Sequence, residues 1–116
     1  MEPGRFVDAF ADTSRADILA LEGRRPEASR LYADVIRRYR ELGVPNFAAD
    51  VAVNFVLAIG PDDPAARAAA EETRAFWTRL GARAALERLD EAMARGPTSP
   101  PLRPAARNAE GVPTPR

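Results

Sequence analysis

The chain has no cysteine and no histidine, and all 17 of its basic residues are arginine, so lysine is absent as well. Those gaps close most common routes to catalysis. There is no thiolate nucleophile, no imidazole base and no Schiff-base lysine, and the usual nitrogen and sulfur ligands of zinc are missing. Without cysteine there is no disulfide framework. A phosphate loop of the GxxxxGK[ST] kind needs a lysine that the chain does not have. The expectation is a non-enzyme with no catalytic residue, cofactor or metal.

Two further absences narrow the class. The 17 arginines are balanced by 17 acids, so the net charge is zero and no global field steers the protein toward nucleic acid or an anionic membrane. No long hydrophobic run is present: the longest, Val51 to Ile59, is too short to span a bilayer. The N-terminal stretch MEPGRFVDAFADTS has acids where a signal peptide needs an apolar core. A soluble, cytoplasmic protein is expected.

What is present is helical punctuation. At 116 residues and 46% hydrophobic content the chain suits one small domain. Gly or Pro at each joint divides residues 1–96 into about five helical segments, with no strand signal. The first aligns Val7, Phe10, Ala11, Ser14, Ile18 and Leu21 on one face, although Asp12 to Ser14 would also cap a shorter helix. The second starts at Pro26, runs Ala28, Leu31, Tyr32, Val35, Ile36, Tyr39 and Leu42 at spacings of three and four, and stops at Gly43. A third, capped near Asn46, is apolar on nearly every face and belongs in the middle of the core. The fourth is capped by Asp63, opens with Pro64 and ends at Gly81; before that stop Phe76, Trp77 and Leu80 fill a wider space. A fifth runs from about Ala82 to Arg95, packing through Ala85, Leu86, Leu89, Ala92 and Met93.

Residues 97–116 hold six of the 11 prolines and almost no large apolar side chain, so they are expected to form a disordered tail. The spaced prolines of PTSPPLRP would also suit an aromatic-lined groove, but a solvated tail is the preferred reading.

The second and fourth segments superpose at an offset of 38 residues: Pro26 on Pro64, Ala28 on Ala66, Tyr39 on Trp77, Leu42 on Leu80 and Gly43 on Gly81. A fixed offset of that size with helix-turn-helix punctuation marks an α-helical repeat. In ILALEGRRPEASRLYADVI, Gly23 fits a turn between paired helices, Ala28 the small residue at their crossing and Tyr32 the aromatic one turn on. The chain here resembles the tetratricopeptide family over about residues 5–95. In the second repeat Gly60 and Ala66 fit, but Ala70 stands where an aromatic is expected. The resemblance implies an all-α fold of two antiparallel helical hairpins plus a closing helix in a domain of residues 1–96. The chain also looks like the C-terminal helical-repeat tails of bacterial multidomain ATPase regulators and adenylate or guanylate cyclases, without any of their catalytic motifs. That second likeness implies a detached regulatory tail as the alternative to a free-standing interaction module.

EGRRPEASRLYADVIRRYRELG carries six arginines in 22 residues and raises the question of nucleic-acid binding. On a helical wheel Arg30, Asp34, Arg37 and Glu41 share the polar face, with Arg30–Asp34 and Arg37–Glu41 spaced to pair. Such a face largely neutralises itself, whereas binding a duplex needs uncompensated cations. No nucleic acid is expected. Arg24 and Arg25, in the turn, are the freer pair and would suit one anionic group or an acidic partner peptide. Asp62 and Asp63 read as caps rather than metal ligands. Asn54, amid apolar neighbours, is read as a buried amide ahead of a groove-lining residue, and Trp77 with Phe76 as core.

Arrays of this kind want about three or more units with polar ends, and here there are two and a half. An apolar face of the first or last helix is therefore expected to stay uncovered, to be met by a second copy, a protein partner or another domain. The expected contact residues, in a groove lined by the first helix of each hairpin, are Phe10, Ile18, Arg24, Arg25, Asp50 and Asn54, and the expected partner is a protein, a peptide or another copy of the chain.

Overall fold

A computed structural model describes residues 3–95. The expected tail and the boundary at residue 96 lie outside them. The described residues form helices α1 (Pro3–Leu21), α2 (Arg25–Glu41), α3 (Pro45–Ile59), α4 (Pro64–Leu80) and α5 (Arg83–Arg95), with no strand among them. The all-α expectation holds. Three of the four joints are made by left-handed glycines, Gly23, Gly43 and Gly81, at φ between 70° and 81°, a conformation that only glycine adopts without strain.

Local chemistry explains the helix starts. Asp63 caps α4, its carboxylate accepting the Ala66 N–H at 3.0 Å, with Pro64 in the first turn. α3 starts one residue before Asn46, and its cap position is Val44, which offers no side-chain hydrogen bond. Pro45 explains this correction: its fixed φ and missing N–H suit the first helical turn without a cap. Asp12 to Ser14 do not open a shorter helix. α1 runs on through them, and the Thr13 hydroxyl donates back to the Ala9 carbonyl at 3.0 Å.

Each helix packs on its neighbour in the chain and on the helix two along: α1 on α2 and α3, α2 also on α4, and α3 also on α5. Among the described residues no helix touches one three or more places away. This is the contact pattern of a stacked, quasi-one-dimensional array. α3 touches all four other helices, which is why it is apolar nearly all round; Val51, Ala52, Phe55, Val56 and Ile59 are buried. The 38-residue offset is also met in space. Ala28 and Ala66, Tyr39 and Trp77 are buried pairs, and Gly43 and Gly81 make equivalent left-handed stops. Leu80 departs from it, lying 60% exposed rather than filling the core.

Bulk and smallness are divided between the helices of the first hairpin. α2 supplies Tyr32, Val35, Ile36 and Tyr39; α1 meets them with Ala9 and Ala16, both wholly buried. The large side chains of α2 are thus the bulk of the first hairpin's buried face, joined from α1 by Phe6 against Tyr39. Tyr32 stacks on Phe55 with centroids 5.0 Å apart, and Phe6, Tyr39 and Phe47 form a second aromatic group at 5.2–5.6 Å.

Burial, partly countered by the Thr13 hydroxyl, raises the Tyr39 phenol above its ordinary value near 10. Its ionised form is disfavoured in the folded state alone, so this stability is intact below pH 10 and is lost as the pH rises past it. With no lysine or cysteine in the chain, tyrosines are the side chains titrating there. Urea midpoints measured from pH 8 to 11 are expected to fall, and to fall less in Tyr39→Phe.

Candidate functional site

The large apolar residues expected on one face of α1 do lie on one face, and it is the face turned away from the core. Val7 is 61% exposed, Phe10 66%, Ile18 54% and Leu21 61%. They lie opposite Ala9 and Ala16, the residues that seat the helix on α2. Exposed Ala11 and Ser14 complete the strip along the helix. The strip runs from Val7 to Leu21 of α1, and so extends over about 21 Å. Contiguous exposed apolar surface of this kind marks interaction sites on soluble proteins.

Applying the 38-residue offset to the first helices explains the strip. Phe10, Ala11, Ser14, Ile18 and Leu21 of α1 correspond to Ala48, Ala49, Ala52, Val56 and Ile59 of α3, all buried, while Val7 falls on exposed Pro45 and the buried Ala9 and Ala16 fall on exposed Phe47 and Asn54. The outward face of α1 is thus the counterpart of the face of α3 that its neighbours cover. At the opposite end, α5 shows solvent Arg83, Glu87, Arg88, Asp90 and Glu91, a polar cap. Among the described residues the array is polar at one end and apolar at the other.

The remaining expected contact residues are placed differently. Asp50 and Asn54 are exposed, one turn apart on α3. Asn54 is therefore not a buried amide: Val51, Phe55 and Ile59 take the inner faces of α3 and leave position 54 outside. Arg24 and Arg25 are not a free cationic pair. Arg24 forms a two-pronged bridge to Glu27, both bonds 2.7 Å, and approaches Glu22 at 3.5 Å. Hydrogen bonding to Arg24, more than its charge, lowers the Glu27 carboxyl, and Arg24 is raised in return. Arg25 donates to the Ile59 carbonyl, satisfying the C-terminal end of α3. Arg24 braces its own turn, and Arg25 the distant end of α3.

Several other arginines are similarly engaged. Arg37 pairs with Glu41 at 3.0 Å and with Asp34. The expected Arg30–Asp34 pair does not form, because Asp34 sits between Arg37 and Arg38, the latter at 3.0 Å. Three bridges link helices: Arg38–Asp12 at 2.7 Å joins α2 to α1, Arg40–Glu72 at 2.6 Å joins α2 to α4, and Arg74–Asp90 at 2.7 Å joins α4 to α5. Asp63, beyond capping α4, accepts the Ser29 hydroxyl at 3.1 Å and ties the starts of α2 and α4 together. Asp17 accepts the Tyr32 hydroxyl at 2.5 Å, fastening α1 to α2.

A cleft of about 320 Å³ lies where α2, α3 and α4 meet, lined by Arg40, Pro45, Ala49, Thr73, Phe76 and Arg79 among others. Its polar groups do not converge on a ligand. Arg40 is held by Glu72, and the Thr73 hydroxyl, without a hydrogen-bond partner, is sealed from solvent. Among the described residues no acidic cluster is arranged to hold a metal ion, and no helix is long and apolar enough to cross a membrane.

Fold and surface together define a short stacked-helix array with one polar and one apolar end. No protein-family model matches the chain, and neither the curated proteins nor the solved structures contain a match.

Proposed function

We propose that the chain is a non-enzymatic, tetratricopeptide-like interaction module, working in the cytoplasm through contact with a protein, with Phe10 and Ile18 at the centre of its contact surface. The observation that carries this reading is the uncovered apolar strip on α1, opposite a polar-capped end. Four large side chains more than half exposed on one helix face each give up part of the roughly 1.5–3 kcal/mol that full burial is worth, which a partner recovers. Asp50 and Asn54 extend the accessible surface on α3.

Affinity capture of the tagged chain, with nuclease and physiological salt, tests this reading when paired with Phe10→Asp/Ile18→Asp. The variant substitutes exposed positions and is expected to keep its helical content. A stoichiometric protein retained by the wild type and lost from the variant is the expected result. Equal recoveries from both would remove the strip from function.

The same strip favours a second reading: a regulatory tail of a bacterial signalling protein, of the transcriptional-regulator or adenylate/guanylate-cyclase type, in which another helical hairpin covers α1. The burial of the equivalent face of α3 is its support. In that case an upstream segment supplied as a separate chain binds α1, and Phe10→Asp abolishes the binding.

A further inference from the structure

We propose that the strip on α1 is covered by the same strip of a second copy, the two helices packing antiparallel about a two-fold axis. This deepens the interaction-module reading, on which it rests, by naming the partner.

An apolar strip is best covered by an apolar surface. The opposite end of the array, α5, presents mostly charged residues to solvent, so head-to-tail stacking would bury ions against Phe10 and Ile18. The strip's mate on the same molecule is itself. A self-complementary patch closes after two copies rather than growing into a filament. Zero net charge on each chain leaves no long-range repulsion between them.

The charges beside the strip choose the register. Val7, Ala11, Ser14, Ile18 and Leu21 recur at spacings of four and three, the seam of a heptad. Asp8 and Arg15 flank that seam on one side, both exposed; Arg15 is 69% exposed and only loosely approached by Asp12 at 3.4 Å. Asp12 has its shorter contact with Arg38. In an antiparallel pair centred between Ala11 and Ser14, Val7 faces Ile18 of the second copy and Leu21 lies over Gly4 of the second copy. Nothing occupies the space where a side chain at Gly4 would be. Asp8 then stands beside Arg15 of the second copy, and symmetry makes this pair twice. Slipping by one heptad sets Arg15 against Arg15 and Asp8 against Glu22, like charges at every contact. The ion pairs decide register and orientation, while the strip supplies affinity.

The contact is small. A seam about 21 Å long and about 10 Å wide falls short of the roughly 800 Å² per partner of a standard interface. A reversible dimer with dissociation in the micromolar range is expected.

Sedimentation equilibrium of the full chain from roughly 5 to 500 µM, a range that brackets such affinities, is expected to show a monomer–dimer equilibrium. Ile18→Asp should leave only monomer. Asp8→Arg and Arg15→Asp, at exposed positions, should each weaken the dimer about tenfold or more. Mixing those two single variants should restore it as a heterodimer. The reversed charge at position 8 of one chain then faces the reversed charge at position 15 of the other, and at the second contact the native Arg15 and Asp8 still meet. That rescue also shows that both variants are folded. A monomer at every concentration overturns the proposal, as does a dimer indifferent to Ile18→Asp or a mixture with no preference for the heterodimer. A monomer that still captures another protein through Phe10 and Ile18 overturns self-pairing alone. A monomer that captures nothing overturns the interaction-module reading too.

Discussion

Phe55→Ala is expected to lower the stability of the chain by about 3–5 kcal/mol, measured as a drop in the urea midpoint at unchanged slope. Phe55 is wholly buried in α3, stacked on Tyr32 of α2, in the one helix that touches all the others. Removing the ring forfeits its transfer from water and leaves a cavity, and it also breaks the stack with Tyr32. Tyr32 is held on its other side by Asp17 of α1, so the gap cannot close by a simple shift of that ring. Domains of this size are stable by only about 5–15 kcal/mol, so this one change removes a large fraction of the total. Phe10→Ala provides the contrast. The side chain is equally large but 66% exposed, and the expected change in the monomer is within about 0.5 kcal/mol. Equal effects at the two positions would mean that α1 is seated the other way round.

That contrast also marks how far the sequence is legible. Helix existence follows from spacing and punctuation: Gly23, Gly43 and Gly81 end helices as their positions predict, and Asp63 with Pro64 opens α4. The seating of α1 does not follow from its own sequence. Both of its faces are apolar, one with Ala9 and Ala16, the other with Phe10 and Ile18, and hydropathy alone favours burying the larger set. The choice is made by what α1 packs on: Ala9 and Ala16 are wholly buried on its inner face, where Phe6 also meets Tyr39 of α2. A partial signal lies in the 38-residue offset, which places Phe10, Ile18 and Leu21 of α1 on buried positions of α3; used on the second helices alone, it aligns α2 with α4 and says nothing of α1.

The expected contact residues were legible to different degrees for a related reason. Exposure of Phe10 and Ile18 depends on how a whole helix is seated. The fates of Arg24 and Arg25 depend on single acceptors: Glu27 is visible one turn along the helix, but the Ile59 carbonyl is 34 residues away and carries no side-chain signal. Asn54 is read wrongly because apolar neighbours in sequence do not imply burial on a helix, where successive residues point about 100° apart. Its neighbours Val53 and Phe55 already face different directions from it.

The closing helix tests whether the array is one-dimensional in energy as well as in contacts. α5 is 13 residues long and touches only α3 and α4. A helix of that length is marginal by itself, and its one wholly buried large side chain is Leu89. The Arg74–Asp90 bridge that also holds it is exposed at both ends and adds little. Leu89→Ala is therefore expected to cost about 2–5 kcal/mol, nearly all of it at the attachment of α5. In a nearest-neighbour array such a loss stays local: α5 opens while α1 and α2, which it does not touch, remain folded. Amide hydrogen exchange in α5 should rise by roughly 30-fold or more, following tenfold for each 1.4 kcal/mol, with α1 and α2 unchanged. Phe55→Ala, acting at the hub, should instead raise exchange in every helix. If Leu89→Ala also raised exchange evenly from α1 to α5, the five helices would be one cooperative unit and the repeat-like division of stability would be wrong.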